Sequence, residues 1–216
     1  MTTLERIAVP HRSNNAPRLD WDQLVQDHRV HRTIYTDPAI FDAEMTHIFG
    51  GTWVYLAHES QIPNVNDYIT SKLGLRPLII TRSDDGKIRA LYNRCSHRGT
   101  TLCRWEKGNA RSFQCPYHGW NFANTGKLRG VPWAEGYAER LVKNPEFNLA
   151  QVPRVQSYRG FIFGTLNADA APLEQHLGPI KKPINEWLDR DFDRFHPTMD
   201  APPQPSAREL WDYFRD

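Results

Sequence analysis

Hydrophobic side chains are spaced in three different ways along this chain, which predicts a helical lead, a central β region and a broken helical tail. In the lead, apolar side chains recur at helical spacing between Ile40 and Phe49. The pair Asp37-Pro38 is typical of a helix start, and Gly50-Gly51 is typical of a helix end. A shorter helix is predicted around Trp21–Val30.

From Trp53 onwards the apolar residues fall in short runs that are typical of β-strands. These runs are WVYLAH, DYITSKL, PLIITR and KIRALYN, followed by Ser112–Cys115, Trp120–Ala123 and Gly160–Leu166. Asp85-Gly86 predicts a hairpin turn of type I′, and Asn124-Thr125-Gly126 predicts another turn. Short strands with closely spaced turns predict a mainly β protein, built as a small antiparallel sandwich or barrel.

The β pattern stops after Asn167. Pro172–Leu188 has helical spacing, but its internal Gly and Pro residues predict that the helix is broken. A Pro-rich segment follows, in which Ser206 and Glu209 have the spacing of a capping box. We therefore expect three parts, which are an irregular and helical lead at 1–50, a β domain at 51–167 and a broken helical, Pro-rich tail at 168–216.

Composition and charge narrow the range of functions. The 216 residues carry 27 Lys and Arg against 25 Asp and Glu, and the net charge of +2 indicates neither a nucleic-acid nor an acidic-membrane partner. No apolar run reaches the ~18 residues of a membrane-spanning helix, and the N-terminal stretch lacks the apolar segment of a secretion signal.

Two short motifs carry the candidate metal chemistry. NRCSHRG places Cys95 and His97 one residue apart, and QCPYHGW places Cys115 and His118 two residues apart. Each motif follows a strand-like run and continues into a glycine-containing loop, so that two loops each present one thiolate and one imidazole. If Cys95 and Cys115 bind a metal, Cys103 has no disulfide partner, which favours a reducing cytoplasm.

Two kinds of metal site use two cysteines and two histidines. A structural zinc finger usually keeps the cysteines in one pair and the histidines in the other, whereas each pair here is mixed. A Rieske [2Fe–2S] centre needs two cysteines on one iron and two histidines on the other, and two mixed loops can clamp it from both sides. Two thiolates balance the positive charge of the oxidised core, whereas four would leave it negative, so histidine ligation raises the reduction potential.

With both motifs in place, the chain resembles the N-terminal Rieske part of the large (α) subunit of aromatic-ring-hydroxylating dioxygenases. The resemblance runs from about Trp21 to about Leu188 and includes YTDPAIFDAEMTHIFGGTWVYLAHESQIP, DYIT and ALYNRCSHRGTTLC. It implies a β sandwich or barrel with a small cluster-binding subdomain, flanked by short helices. It also implies that Cys95 and Cys115 bind one iron and that His97 and His118 bind the other.

Trp120 refines this resemblance. High-potential respiratory Rieske proteins typically have a serine after the second His-Gly, and they carry an extra cysteine in each cluster loop. Trp120 and the single extra Cys103 depart from that pattern, which implies a low-potential centre. Trp105, Trp120 and Trp133 are expected to pack so that they keep water from the cluster, and Tyr117 either hydrogen-bonds near a ligand or simply packs.

The resemblance also implies chemistry that this chain does not carry. In that family a mononuclear iron, held by two histidines and a carboxylate, activates O₂ in a C-terminal domain. Downstream of His118 this chain has only His176 and His196, which are too far apart in sequence to match that pattern. We therefore expect no catalytic residue in this chain, and the mononuclear iron only in a complete enzyme.

The role implied by the resemblance is electron transfer towards aromatic hydroxylation. The expected electron donor is a ferredoxin or a flavin/iron–sulfur reductase, and an oxygenase β subunit or further copies of the chain are possible partners. Neither nucleic acid nor a membrane is expected to bind. Two alternatives stay open, which are a stand-alone Rieske ferredoxin and a zinc-binding interaction module; the long segment before Trp53 argues against the ferredoxin.

Overall fold

A computed structural model describes residues 21–137 and 141–189 of the chain. The described residues up to His176 belong to one compact unit, and those from Leu177 onwards belong to a second. The predicted capping box at Ser206 and Glu209 lies outside the described residues, as does His196.

Short helices flank a larger number of short strands. The helices are α1 (Trp21–Leu24), α2 (Pro38–His47), α3 (Leu173–Leu177) and α4 (Lys181–Leu188). The strands are β1 (Val25–Gln26), β2 (Arg29–Val30), β3 (Val54–His58), β4 (Asp67–Leu73), β5 (Arg76–Arg82), β6 (Ile88–Tyr92), β7 (Lys107–Asn109), β8 (Ser112–Gln114), β9 (Asn121–Ala123), β10 (Leu128–Gly130), β11 (Arg154–Tyr158) and β12 (Phe161–Thr165). Within the described residues, no helix is long and apolar enough to cross a membrane.

The strands pair into antiparallel sheets. The largest sheet has the order β6-β5-β4-β7, a second has the order β11-β12-β3, and a third, smaller one has the order β10-β9-β8. Neighbouring strands in these three sheets run antiparallel. The mainly β, antiparallel architecture expected from the sequence is therefore confirmed.

The largest sheet lies between two hydrophobic cores. On β5, Ile79 belongs to the core that contains Cys95, Cys115 and Trp120, whereas Leu78 and Ile80 belong to the core that also contains residues of β3 and β12. All three β5 side chains are fully buried. Because successive side chains of a strand point to opposite faces, β5 supports the metal-binding region with one face and the second core with the other.

The predicted helix after Asp37 is present. The Asp37 carboxylate accepts a hydrogen bond of 2.8 Å from the Ala39 amide, and Pro38 occupies the first helical position. The helix ends at His47, three residues before Gly50, and Phe41 on it is 44% exposed. Its apolar stripe therefore faces the core only in part.

The helix predicted over Trp21–Val30 is wrong beyond its first turn. Only α1 is helical, and β1 and β2 then pair as a minimal hairpin with Val25 opposite Val30. Both residues are β-branched, which disfavours helix and favours extended backbone.

The type I′ turn predicted at Asp85-Gly86 is also wrong. That turn needs a positive φ at both central residues, whereas within residues 84–86 only Gly86 has one, at +75°. Gly86 donates a hydrogen bond of 2.8 Å to the Ser83 carbonyl, and Ser83 donates one of 2.9 Å to the Lys87 carbonyl. These contacts define a three-residue loop with a left-handed glycine at its third position.

The turn predicted at Asn124-Thr125-Gly126 is confirmed and has the same geometry. Gly126 has a φ of +88° and donates a hydrogen bond of 2.8 Å to the Ala123 carbonyl. Ala123 in turn donates one of 2.8 Å to the Lys127 carbonyl.

The segment that follows β12 is hydrogen-bonded to residues in and next to the strands. The Trp53 indole donates a hydrogen bond of 2.8 Å to the Ala171 carbonyl, and the Arg154 guanidinium lies over the Trp53 ring at 5.2 Å. The Leu173 amide donates to the Gln156 side chain at 3.0 Å. The predicted break in the helical tail is confirmed, because Gly178–Ile180 forms a 3₁₀ turn between α3 and α4.

Candidate metal centre

The two motifs form two loops with the same backbone hydrogen bonds. In the first loop, after β6, the Cys95 amide donates to the Thr100 carbonyl at 2.8 Å and the Gly99 amide donates to the Cys95 carbonyl at 2.8 Å. In the second loop, between β8 and β9, the Cys115 amide donates to the Trp120 carbonyl at 2.7 Å and the Gly119 amide donates to the Cys115 carbonyl at 3.0 Å. Each loop therefore closes around its cysteine in the same way.

A glycine four residues after each cysteine makes this closure possible. Gly99 has a φ of +76° and Gly119 a φ of +71°, a left-handed conformation that residues with a Cβ atom rarely adopt. A Cβ atom on Gly119 would also lie 2.8 Å from Cγ of Pro132. The glycines noted in both sequence motifs are thus required by the loop backbone.

Across the two loops, the cysteines lie beside each other and the histidines lie beside each other. The Cys95 and Cys115 side chains lie in the same hydrophobic core, and the two residues are only 4% and 3% exposed. The imidazole rings of His97 and His118 lie 4.7 Å apart between centroids, and both residues are partly exposed. One cysteine pair and one histidine pair therefore form across the loops, although each loop supplies one residue to each pair.

Burial controls the protonation of these groups. It raises the pKa of the Cys95 thiol to about 11, and the neighbouring Cys115 adds to this, while the backbone amide of His97 acts in the opposite direction. Burial also lowers the pKa of His97, with the charges of His118 and Arg98 acting in the same direction. A lowered pKa favours neutral His97, which is the form of imidazole that binds metals.

The donor set fits a [2Fe–2S] cluster of the Rieske type. Nδ1 of His97 is buried and has no hydrogen-bond partner among the described residues, so its lone pair is available to a metal ion. Within the described residues, no three His, Cys, Asp or Glu side chains are grouped so that they could hold one metal ion. Separate cysteine and histidine pairs suit two irons better than one zinc ion. The ligand assignment of the four residues stays a prediction.

Aromatic residues surround the histidine pair unevenly. Trp120 is 1% exposed and stacks on His97, with 4.6 Å between centroids and 3° between planes, as expected for a residue that packs against the site. Trp105 and Trp133 are 75% and 82% exposed, so the expectation that they shield the site is wrong. The Tyr117 ring packs on the His118 ring, with 3.8 Å between centroids, and Tyr117 is 62% exposed. Of the two expected roles of Tyr117, this favours packing over a hydrogen bond near a ligand.

Asn93 supports the first loop and was not singled out from the sequence. It is 4% exposed, its side-chain oxygen accepts hydrogen bonds from the Leu102 amide at 3.1 Å and the Cys103 amide at 2.8 Å, and its side-chain nitrogen donates to the Cys103 carbonyl at 2.7 Å. It joins the start of the motif loop to the chain that follows it. Its position directly after the apolar run of β6 is the signal that could have marked it.

Cys103 is buried and takes no part in either pair. All three cysteines are free thiols, and the Cys103 thiol contacts the Trp105 carbonyl at 3.4 Å. Burial, together with the Cys103 side chain, raises the pKa of Tyr68 to about 12.

Residues 52–156 match the family model of the Rieske [2Fe-2S] domain. Both loops, with their cysteine and histidine pairs, lie within this match, so this part of the chain is a Rieske [2Fe–2S] domain, and a Rieske cluster is the cofactor of such a domain.

Within that class, the chain is homologous to the large subunits of aromatic-ring dioxygenases. It is 48% identical over 177 residues to the toluate 1,2-dioxygenase subunit alpha of Pseudomonas putida, covering 78% of this chain and 39% of that protein. It is 44% identical to the 2-halobenzoate 1,2-dioxygenase large subunit of Burkholderia cepacia, covering 78% of this chain and 37% of that protein.

A solved structure shows the same relationship. Naphthalene 1,2-dioxygenase from Rhodococcus sp., bound to indole, superposes with a TM-score of 0.68 and 42% identity, covering 72% of this chain and 36% of that one. This chain thus spans less than two fifths of the length of these relatives.

Proposed function

We propose that this chain is the electron-transfer portion of a ring-hydroxylating oxygenase α subunit. In this proposal Cys95 and Cys115 hold one iron of a Rieske cluster, and His97 and His118 hold the other. The observation that supports it is that one loop places its cysteine beside the cysteine of the other loop, and its histidine beside the other histidine. The two loops also share the same backbone hydrogen bonds. Such a cluster, when bound, takes up and gives off one electron at a time.

The cysteine pair and the histidine pair of the site differ in their exposure to solvent. The cysteine pair is buried, whereas His97 and His118 are partly exposed, so the histidine side is the accessible one. An imidazole that binds a metal through one nitrogen retains a second ring nitrogen whose N–H can hydrogen-bond to a partner. We therefore assign electron entry and exit to the histidine side, and the exclusion of water to Trp120 and the core behind the cysteines.

The electron donor in this proposal is a ferredoxin or a flavin/iron–sulfur reductase, and the acceptor is a mononuclear iron of the oxygenase. The substrate class that we propose is an aromatic acid, since the relatives at 48% and 44% identity are named for toluate and 2-halobenzoate. A β subunit or further copies of the chain would complete the assembly. We also propose residues 51–167 as the cluster domain and the cytoplasm as the location, where free thiols persist.

The cofactor part of the proposal is tested on the purified, full-length chain under anaerobic conditions. We expect iron and acid-labile sulfide in equal amounts, and a Rieske-type EPR signal after chemical reduction. A colourless protein that contains stoichiometric zinc and no sulfide would refute the proposal and leave the zinc module in its place.

The ligand assignment is tested by His118→Cys, which should retain a cluster and lower its reduction potential. A thiolate adds negative charge beside the iron and makes the added electron less favourable. His47→Cys, the same substitution at the exposed end of α2, is the control and should leave the potential unchanged. An unchanged or higher potential in His118→Cys, measured by EPR-monitored titration, contradicts the assignment.

A further inference from the structure

Trp120 belongs to one motif loop, but its side chain packs on the histidine of the other. Its backbone carbonyl closes the second loop by accepting the hydrogen bond of 2.7 Å from the Cys115 amide. Its indole ring lies parallel to the His97 imidazole of the first loop, with 3° between planes and 4.6 Å between centroids. One residue thus connects the closure of one loop to the orientation of a ring on the other.

The Trp120 ring is itself held in place. It is 1% exposed and contacts Phe122 at 6.4 Å, Tyr137 at 6.1 Å and Phe147 at 5.9 Å between centroids, the last two nearly edge-on. A ring enclosed by three others in different orientations cannot rotate without displacing them. The plane against which His97 lies is therefore rigid.

His118 has a different neighbour. Its stacking partner is Tyr117, which is tilted by 30° and is 62% exposed. The torsion that turns an imidazole about its Cβ–Cγ bond has a broad energy minimum, so a histidine ring needs an external contact to fix its plane. The core supplies that contact to His97, whereas a solvent-exposed ring supplies it to His118.

We propose that Trp120 is a positioning residue that fixes the ring plane of His97 from the opposite loop, so that the two histidines of the site are held unequally. This inference rests on the proposed function, because it concerns the orientation of a cluster ligand. Trp120 contributes a flat, buried surface, and the part of its role that matters is the planar stack. A ring of another kind should substitute for it, and an apolar side chain without a ring should not.

The test compares Trp120→Leu, Trp120→Phe and Tyr117→Leu in the full-length, cluster-loaded protein. Pulsed EPR of the reduced protein resolves the coupling of each coordinating imidazole nitrogen, which depends on ring orientation. We expect Trp120→Leu to broaden one of the two couplings, Trp120→Phe to preserve it, and Tyr117→Leu to leave that same coupling sharp. Loss of the stack should also speed iron release to a chelator roughly 2- to 12-fold, the range expected for one aromatic pair.

Both couplings unchanged in Trp120→Leu would overturn the inference, even if that variant were less stable, because packing alone would then explain Trp120. Broadening of the same coupling by Tyr117→Leu would overturn it as well. If Trp120→Leu assembles no cluster, Trp120→Met keeps apolar volume without a plane and takes its place in the comparison. A wild-type protein without any cluster signal would refute the proposed function instead, so the two failures are distinguishable.

Discussion

Replacement of Gly119 by alanine tests the requirement for glycine in the second motif loop. Gly119 has a φ of +71°, and a Cβ atom there would lie 2.8 Å from Cγ of Pro132, a ring atom that cannot swing away. Gly86 is the matched control, because its φ is +75° and an added Cβ atom would meet nothing within 4 Å. The two substitutions share the backbone strain and differ in the clash.

The expected cost follows from these two contributions. The left-handed conformation costs a residue with a Cβ atom about 1–2 kcal/mol, which is the whole cost at Gly86. The clash with Pro132 adds about 1–3 kcal/mol at Gly119, the usual cost of inserting one carbon into a packed site. Gly99→Ala should stay close to the control, since its Cβ atom would meet the Arg94 guanidinium, the end of an exposed, flexible side chain, at 3.1 Å.

Urea unfolding of the full-length chain, followed by tryptophan fluorescence, measures these differences. The midpoint of Gly119→Ala should fall below that of Gly86→Ala by roughly 0.5–1.5 M, with an unchanged slope. Equal midpoints for the two variants would show that Pro132 does not constrain the loop. A larger loss for Gly99→Ala than for Gly119→Ala would reverse the predicted order and refute the steric argument.

Two further predictions concern buried and paired polar groups. Asn93→Ala should destabilise the fold by about 2–4 kcal/mol, because it leaves two buried amides without an acceptor, whereas the exposed Asn109→Ala should cost less than about 1 kcal/mol in the same urea assay. The Ser157 hydroxyl and the Arg82 guanidinium hold the pKa of Glu59 below its usual value. Because that folded-state pKa is lowered, the stabilisation is complete above the ordinary value of about 4.3 and is lost as the pH falls through the folded value. Glu59→Gln should therefore flatten the acid side of the stability curve, and an unaltered pH dependence would contradict this.

The sequence predicts best the strands that are apolar and β-branched in their own right. DYITSKL coincides with β4, and most of the other predicted runs differ from the strands by one residue at an end. The pattern misses β11, and it also misses β7 and β10. The residues of β7 and β10, KGN and LRG, have no strand character of their own. These segments are extended because β4 and β9 supply their hydrogen-bond partners, and such tertiary pairing overrides local propensity.

In the candidate site, too, features set by neighbouring residues can be predicted from the sequence, whereas contacts between distant segments cannot. The four predicted ligand residues can be read from the chain because each loop is short and its Cys, His and Gly spacing is local. The stack of Trp120 on His97 and the hydrogen bonds of Asn93 to the chain around Cys103 depend on how separate segments pack. Composition could not distinguish the buried Trp120 from the exposed Trp105, because both residues lie in or near the motif loops.

The position of β5 between two cores has a consequence for the way the protein opens. Leu78, Ile79 and Ile80 are consecutive, and they bury alternate side chains in different cores. Disruption of either core therefore uncovers one face of the same strand and weakens its support for the other. Hydrogen exchange at the β5 amides consequently reports on both cores at once. Loosening of the metal centre should therefore also weaken the core on the opposite face of the sheet.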